Sequence, residues 1–401
     1  MKILILDMTH GGDILAEEYI AKGHAVACAD VYGIASDEKK RELAAKGATV
    51  LSRVTGTYDT AVLPAHCPDV FLGDAVYGER ITFSRAVKDL IDDRRFRIEV
   101  TGVKGKTSTC YLLAHILSQA GRKVFLHTSR GQGPWIGGAH AIEKRMSIAP
   151  PSLLRLPKGD FNCMISEVSL GGSGKADIAV ITNLAEDYGI AAGTRKASDA
   201  KSDILTGGIN IVREDEAALW KKYGYGIRGC AGSVRTVGTP ELGKPTEISF
   251  EYGGPCRTTL DPGYLALQYL PAIDTALCVC VSMDIGRDAV IRGLRTFKGV
   301  PGRGEVSFRS GVRYVTDRNP GVSALSVRVT LGCLKAMNAL DNAWVTVDPV
   351  NRKVCEKMNA DEIRRTAAEF GVSVNFTDGD AVQKMPEGTR TAVMFVKEGF
   401  Q

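Results

Sequence analysis

Val100-Thr101-Gly102-Val103-Lys104-Gly105-Lys106-Thr107-Ser108 is the stretch that decides how this chain is read. Before it, Phe96-Arg97-Ile98-Glu99-Val100 alternates and is rich in strand formers. After it, Thr107 to Ala120 places Cys110, Leu113, Ala114 and Leu117 on one helical face and stops at Gly121. A glycine-containing loop between a strand and a helix lets backbone N–H groups curl round an oxyanion, and the helix N-terminus adds its dipole. Lys106 then reaches the outer phosphates of a nucleotide, and the Thr107 hydroxyl is placed for Mg²⁺. The expectation is a phosphate loop, with Thr101, Gly102, Val103, Lys104, Gly105, Lys106, Thr107 and Ser108 around the nucleotide.

Towards the C-terminus, Lys123 to His127 reads as a strand. It feeds a glycine-rich segment, Thr128 to Gly138, too irregular for a helix and expected as a substrate-facing lid that carries Ser129 and Arg130. Arg130, Arg145, Arg155 and Lys158 give this region a basic character suited to a carboxylate-rich substrate. Met164-Ile165 leads to Glu167, and Asp177 to Thr182 is a second buried strand followed by Asn183 and Asp187-Tyr188. A carboxylate at the C-terminal end of a sheet beside a phosphate loop is where a Mg²⁺ ligand is needed, so Glu167 is the candidate. Ala197 to Ile204, with Lys201, reads as a helix.

Towards the N-terminus, residues 1–95 read as a small α/β domain of Rossmann-like order. The strand Ile3-Leu4-Ile5-Leu6 runs into the loop Asp7 to Gly12, a helix ends before Gly23, and a strand spans Ala25 to Ala29. That first loop opens where ligands bind in such sheets. The absence of Gly-x-Gly-x-x-Gly argues against a dinucleotide. Asp92-Asp93-Arg94-Arg95 reads as a charged hinge.

Length and composition agree with a multi-domain globular protein: 401 residues, 44% of them hydrophobic, allow a core in each of two or three domains. No window approaches a membrane span and no leader is visible, so a cytoplasmic location is the default expectation. Ten scattered cysteines without Cys-x-x-Cys give little support to disulfides or metal clusters. A net charge of +5 is too small to argue for nucleic acid and is compatible with an anionic small molecule.

Thr101-Gly102-x-x-Gly105-Lys106-Thr107-Ser108 lacks the usual first glycine, since Val100 stands there. In this form it resembles the loop of the Mur ligases and their relatives, the folylpolyglutamate and cyanophycin synthetases. The likeness extends to Thr182-Asn183 with Asp187, to Pro301-Gly302-Arg303-Gly304-Glu305, and to Val396-Lys397-Glu398-Gly399 near the end. It implies a three-domain α/β architecture: a Rossmann-like substrate domain (1–95), a central P-loop ATPase domain (96–300), and a small α/β domain (301–401) that closes over the nucleotide. It also implies ATP and Mg²⁺ as cofactors, with Glu167 as a metal ligand, Lys201 as a lysine carbamylated by CO₂ beside the metal, and Arg303 on the nucleotide phosphates. Asn183, Asp317 and Asn319 become nucleotide contacts, and Thr9, His10, Gly11 and Gly12 fall near the second substrate. Tyr188 stands where the family carries a metal-binding histidine, which leaves the second Mg²⁺ without that ligand. Gly263-Tyr264-Leu265-Ala266 replaces the family's adenine-contacting stretch.

The chemistry so implied is transfer of the γ-phosphoryl group to a carboxylate, giving an acyl phosphate that a nucleophile opens. The chain as a whole looks most like the Mur-like ligases that close a carbocycle on a polycarboxylate tetrapyrrole, where nickel enters only as part of the substrate. An amide-forming ligase acting on an amino acid or peptide, and a nucleotide-binding protein without ligase chemistry, remain open alternatives. His10, Tyr188 and His140 are candidate acid–base groups.

Overall fold

The computed structural model describes residues 1–143, 145–348, 358–377 and 385–397. The first segment is β1 (Lys2–Leu6), α1 (Gly12–Ala21), β2 (Ala25–Ala29), α2 (Asp37–Ala45), β3 (Thr49–Leu51), β4 (Thr55–Leu63), β5 (Asp74–Thr82) and α3 (Phe83–Leu90). All five strands are parallel, in the order β3-β2-β1-β4-β5. The chain winds outward from β1 through β2 to β3 and returns to β4 on the other side. The loops after β1 and β4 therefore flank the switch point, where open α/β sheets hold their ligands.

The phosphate-loop sheet follows, with β6 (Phe96–Thr101), α4 (Lys106–Gln119), β7 (Val124–Thr128), β8 (Gly131–Ile136), β9 (Ala139–His140), β10 (Cys163–Glu167) and β11 (Ile178–Ile181). A small hairpin of β12 (Gly189–Ile190) and β13 (Arg195–Lys196) precedes α5 (Ala197–Lys201), β14 (Ile209–Arg213), α6 (Ala217–Lys221) and β15 (Ile227–Cys230). The eight strands run β15-β14-β11-β6-β10-β7-β8-β9, with β6 inside and parallel to both neighbours. Near-continuous apolar runs such as Ile178-Ala179-Val180-Ile181 are buried along their whole length, as strands covered on both faces must be.

Thr128 to Gly138 is not the irregular lid expected from its glycines. Residues 131–136 form β8, antiparallel to β7, and their burial alternates. The period of two is hidden because Gly131 and Gly133 occupy inward positions. Trp135, the third, meets Tyr111 and His115 of α4 edge-on at 5.4 and 5.8 Å. The expected charged hinge is also a tied turn. Asp93 accepts bonds from the backbone and guanidinium of Arg95 and pairs with buried Arg97 at 2.6 Å. Against the rise that partial burial causes, those bonds hold the Asp93 carboxyl down at about 2.

The remaining strands are β16 (Arg235–Thr236), β17 (Thr246–Glu251) and β18 (Pro255–Leu260), an antiparallel sheet, then helices α7 (Ala266–Ser282) and α8 (Arg287–Thr296). β19 (Arg303–Arg309), β20 (Val312–Asn319), α9 (Ala324–Ala336), β21 (Ala343–Asp348), α10 (Ala360–Ala368), β22 (Val374–Phe376) and β23 (Thr391–Lys397) complete the chain. Their sheet order is β19-β20-β23-β21-β22, parallel except for β19. Glu398 and Gly399 lie outside the described residues.

The first sheet ends before residue 96 and the last begins at Arg303. Compactness divides the molecule otherwise. One unit takes Met1–Ala231 with Cys278–Met283, and the other takes the remaining described residues. Inside the first unit a single apolar core joins Leu15, Phe83 and Val87 to Phe125, Met164 and Val168, so the first sheet's helices pack on the second sheet. Against the expectation from cysteine spacing, a disulfide links Cys230 to Cys278 with 6.1 Å between Cα atoms; partners 48 residues apart leave no local signature. No helix among the described residues is long and apolar enough to cross a membrane.

Candidate nucleotide and metal site

Parallel register builds the site. β10 aligns Glu167 with Val100, and β11 aligns Ile181 with Thr101, so Glu167 and Thr182-Asn183 emerge on either side of the phosphate loop. α4 then starts at Lys106 from Gly105, which is left-handed at φ 83°. Thr107 Oγ1 donates to Glu167 Oε2 at 2.9 Å, and both the backbone N–H and the hydroxyl of Ser129 donate to the same oxygen at 3.1 Å. Thr107 and Ser129 hydroxyls are 3.4 Å apart. Hard oxygen donors gathered at a helix N-terminus suit Mg²⁺. Ser129, expected on the substrate side, thus joins the metal candidates Thr107 and Glu167, because β7 ends level with β10.

Lys106 Nζ rests on the carbonyls of Gly102 and Val103, at 3.1 and 3.5 Å. Thr182 and Asn183 clamp the loop. Thr182 Oγ1 donates to the Lys104 carbonyl at 2.6 Å, while the Asn183 amide gives to that carbonyl at 2.9 Å and takes from the Lys104 N–H at 3.1 Å. Asn183, expected on the nucleotide, here shapes the loop that would hold it. Thr101 is buried below, bonded to the Ser169 carbonyl at 3.2 Å.

Lys201 is also brought in. Its side chain is 1% exposed, and Nζ donates to the carbonyls of Gly102 and Ser169 at 3.0 and 2.9 Å. Burial, reinforced by the charge of Lys106, pushes the ammonium well below its ordinary range. Asp187 fixes the start of this helix by accepting from the Ser198 N–H and hydroxyl, both at 2.9 Å. Tyr188, next to it, is 44% exposed.

Three further candidates lie elsewhere on the fold. Arg155 is not set for a substrate: it pairs with Glu17 and, at 2.7 Å, with Glu18 of α1. Arg130 lies in the β7–β8 turn, and His140 lies on exposed β9 against Trp135. In the second unit, β19 and β20 pair Arg303 with Asp317, and Asn319 Nδ2 donates to Asp317 Oδ1 at 2.8 Å. Those three nucleotide candidates form one group, with Asp317 and Asn319 both buried.

At the first sheet, Thr9 and His10 turn back on a residue that sequence reading passed over. Asp7 Oδ1 accepts from the Thr9 N–H and hydroxyl, each at 2.7 Å, and Asp7 Oδ2 bonds His10 Nδ1. Burial alone raises the Asp7 carboxyl, but the bonds from His10 and Thr9 outweigh it and hold it below its ordinary range. His66, from the loop after β4, faces His10 edge-on with ring centroids 4.9 Å apart. Burial, helped by His10, pushes the His66 imidazole down to about 4. Asp7 and His66 are 59 residues apart, and only the strand order that seats β4 beside β1 could have joined them.

The Mur ligase middle domain family matches residues 100–205. Over 415 aligned residues the chain is 29% identical to the coenzyme F(430) synthetase of Methanosarcina acetivorans, covering 92% of this chain and 88% of that protein. Alignment with the coenzyme F(430) synthetase of Methanocaldococcus jannaschii is 34% identical and covers 51% of this chain and 49% of the relative. MurF from Acinetobacter baumannii shares the fold with a TM-score of 0.57 at 16% identity, over 99% of this chain and 90% of that chain. The phosphate loop thus lies inside the matched Mur ligase middle domain, and the fold is that of the Mur ligases from end to end.

Proposed function

We propose that this protein activates a carboxylate as an acyl phosphate. We further propose that the acid is the propionate side chain of a nickel seco-tetrapyrrole, closed by carbon–carbon bond formation to coenzyme F-430. The observation that carries the activation step is the convergence of Thr107, Ser129 and Glu167 on one oxygen at the start of the phosphate-loop helix. Mg²⁺ held there by Thr107 and Glu167 would neutralise charge on the nucleotide's outer phosphates. The tetrapyrrole rests on the resemblance to one protein named coenzyme F(430) synthetase over 92% of this chain and to a second over 51% of it.

In the reaction a carboxylate oxygen attacks the γ-phosphorus and ADP leaves. A macrocycle carbon, losing its proton, then attacks the carbonyl carbon, and phosphate leaves with the oxygen it acquired. Lys106 follows the phosphoryl group by releasing the Gly102 and Val103 carbonyls on which it now rests. Arg303, Asp317 and Asn319 keep the nucleotide role that the family resemblance gives them. Lys201 is poised for carbamylation in one respect, since a depressed ammonium supplies the neutral amine that attacks CO₂. A carbamate keeps a single N–H, so modification requires this side chain to release at least one of the Gly102 and Ser169 carbonyls.

The test is ADP release by purified protein with Mg-ATP and the nickel seco-tetrapyrrole acid, with the visible spectrum followed for ring closure. ADP formed in step with the spectral change supports the whole reading. ADP formed only with an amino acid plus a carboxylate acceptor replaces the tetrapyrrole by amide synthesis, and ATP binding without ADP release on any acid overturns the ligase.

A further inference from the structure

We propose that Asp7, His10 and His66 form a binding site for a divalent transition-metal ion, separate from the Mg²⁺–nucleotide site. One donor atom from each of the three lies within 4.8 Å of the others. The donors come from two loops, Asp7 and His10 after β1 and His66 after β4, and those loops flank the switch point of the first sheet. Convergence from separate strands at a ligand crevice is what a built site requires, and local turn chemistry does not produce it.

The donor set selects the ion. Two imidazoles and one carboxylate suit zinc, nickel, cobalt or copper, whereas Mg²⁺ prefers an all-oxygen shell such as that of Thr107 and Glu167. Three protein ligands also leave a coordination position open, as in zinc sites that bind water or substrate. The surroundings orient the ligands. Asp7 is 0% exposed and anchored by the Thr9 N–H and hydroxyl. The Tyr32 ring stacks on His66 at 5.8 Å and meets His10 edge-on at 5.7 Å. His10 and His66 are each only partly buried, so an ion reaches them from solvent. Binding would part the short Asp7–His10 bond, exchanging a proton between them for the metal.

This inference does not depend on the ligase reading, and its test needs no turnover. Untagged full-length protein, stripped with a chelator, is titrated with Co²⁺ while visible absorption is followed. The expected result is one Co²⁺ per chain with the strong absorption of a four- or five-coordinate ion, displaced by Zn²⁺ and indifferent to excess Mg²⁺. His66→Ala and Asp7→Asn should weaken it by about tenfold or more, since loss of even an outer-shell partner costs about that much. His24→Ala, outside the cluster, should bind as the parent does. Should His66→Ala fail to fold, His66→Gln keeps the volume and polarity, and a Zn²⁺-induced rise in Tm in the parent alone gives the same answer. No stoichiometric uptake by the parent, or equal affinity in a folded His66 variant, overturns the proposal.

Discussion

The loops after β1 and after β6 are built alike and carry opposite chemistry. Each follows a buried parallel strand, passes through a left-handed glycine at the helix start (Gly11, φ 100°, and Gly105, φ 83°), and opens a helix at the C-terminal edge of its sheet. The second loop offers Lys106 and the N–H groups of a helix N-terminus, and so attracts phosphate. The first offers a buried carboxylate and one imidazole, and the loop after β4 adds a second imidazole, a set that attracts a cation. Backbone geometry makes the cradle in both, and a few side chains decide which sign of ligand enters it.

Lys106→Ala probes the difference most sharply. It should lower substrate-dependent ADP formation about a thousandfold or more, by removing a cation from the transferring phosphoryl group. Co²⁺ uptake by the first loop should be unchanged in the same protein. Lys201→Ala is next. If a carbamate serves the metal, activity lost in that variant should return in part on adding a small carboxylate such as acetate, and an absence of rescue at saturating acetate removes the carbamate.

The glycines that let each loop close are a third handle. A Cβ on Gly12 would stand 1.7 Å from the Asp7 carbonyl oxygen, and one on Gly102 would stand 2.1 Å from Thr182 Oγ1. Neither oxygen gives way freely: the Asp7 oxygen is backbone, the Thr182 hydroxyl holds the Lys104 carbonyl, and Gly102 sits at φ 135°, where an L side chain is strained. Gly12→Ala and Gly102→Ala should therefore each cost about 3 kcal/mol or more, read as a fall in Tm. An unchanged Tm in either variant would mean that its loop yields.

The smallest effect is one of pH. Burial pushes His127, at the end of β7 and 1% exposed, down to about 4, against the opposing pull of Glu167. Between about pH 6.5 and pH 4 the unfolded chain then binds a proton that the folded chain does not. Stability from this group is full above pH 6.5 and falls with acidification. His127→Leu should flatten that slope by about 3 kcal/mol across the window, measured by denaturant unfolding.

The two loops also differ in how far sequence revealed them. The phosphate loop was legible because its parts are contiguous: strand, Gly102-x-x-Gly105-Lys106-Thr107 and amphipathic helix occur within 25 residues of one another. Glu167 followed from the need for an acid at a neighbouring strand end. The bond from Ser129 to Glu167 was not legible, because glycines in inward positions of β8 concealed the strand register that sets the two side by side. The first loop showed only His10 and its glycines. Asp7 was only the first residue of that loop, His66 lies 59 residues on with no motif around it, and β5, which lies at a sheet edge with most of its side chains exposed, gave no periodic signal to fix the sheet. Cys230 and Cys278 were invisible as partners for the same reason: tertiary pairings at long separation leave no spacing to read.

Carboxylate activation is the central claim, and isotope transfer tests it most directly. The nickel seco-tetrapyrrole acid labelled with ¹⁸O in its propionate is turned over with unlabelled Mg-ATP, and the inorganic phosphate is examined by mass. The acyl-phosphate route predicts one ¹⁸O in each phosphate released, because the oxygen that bonds to phosphorus leaves with it. Unlabelled phosphate formed alongside the cyclised product would contradict that route and return the chain to ATP hydrolysis without carboxylate activation.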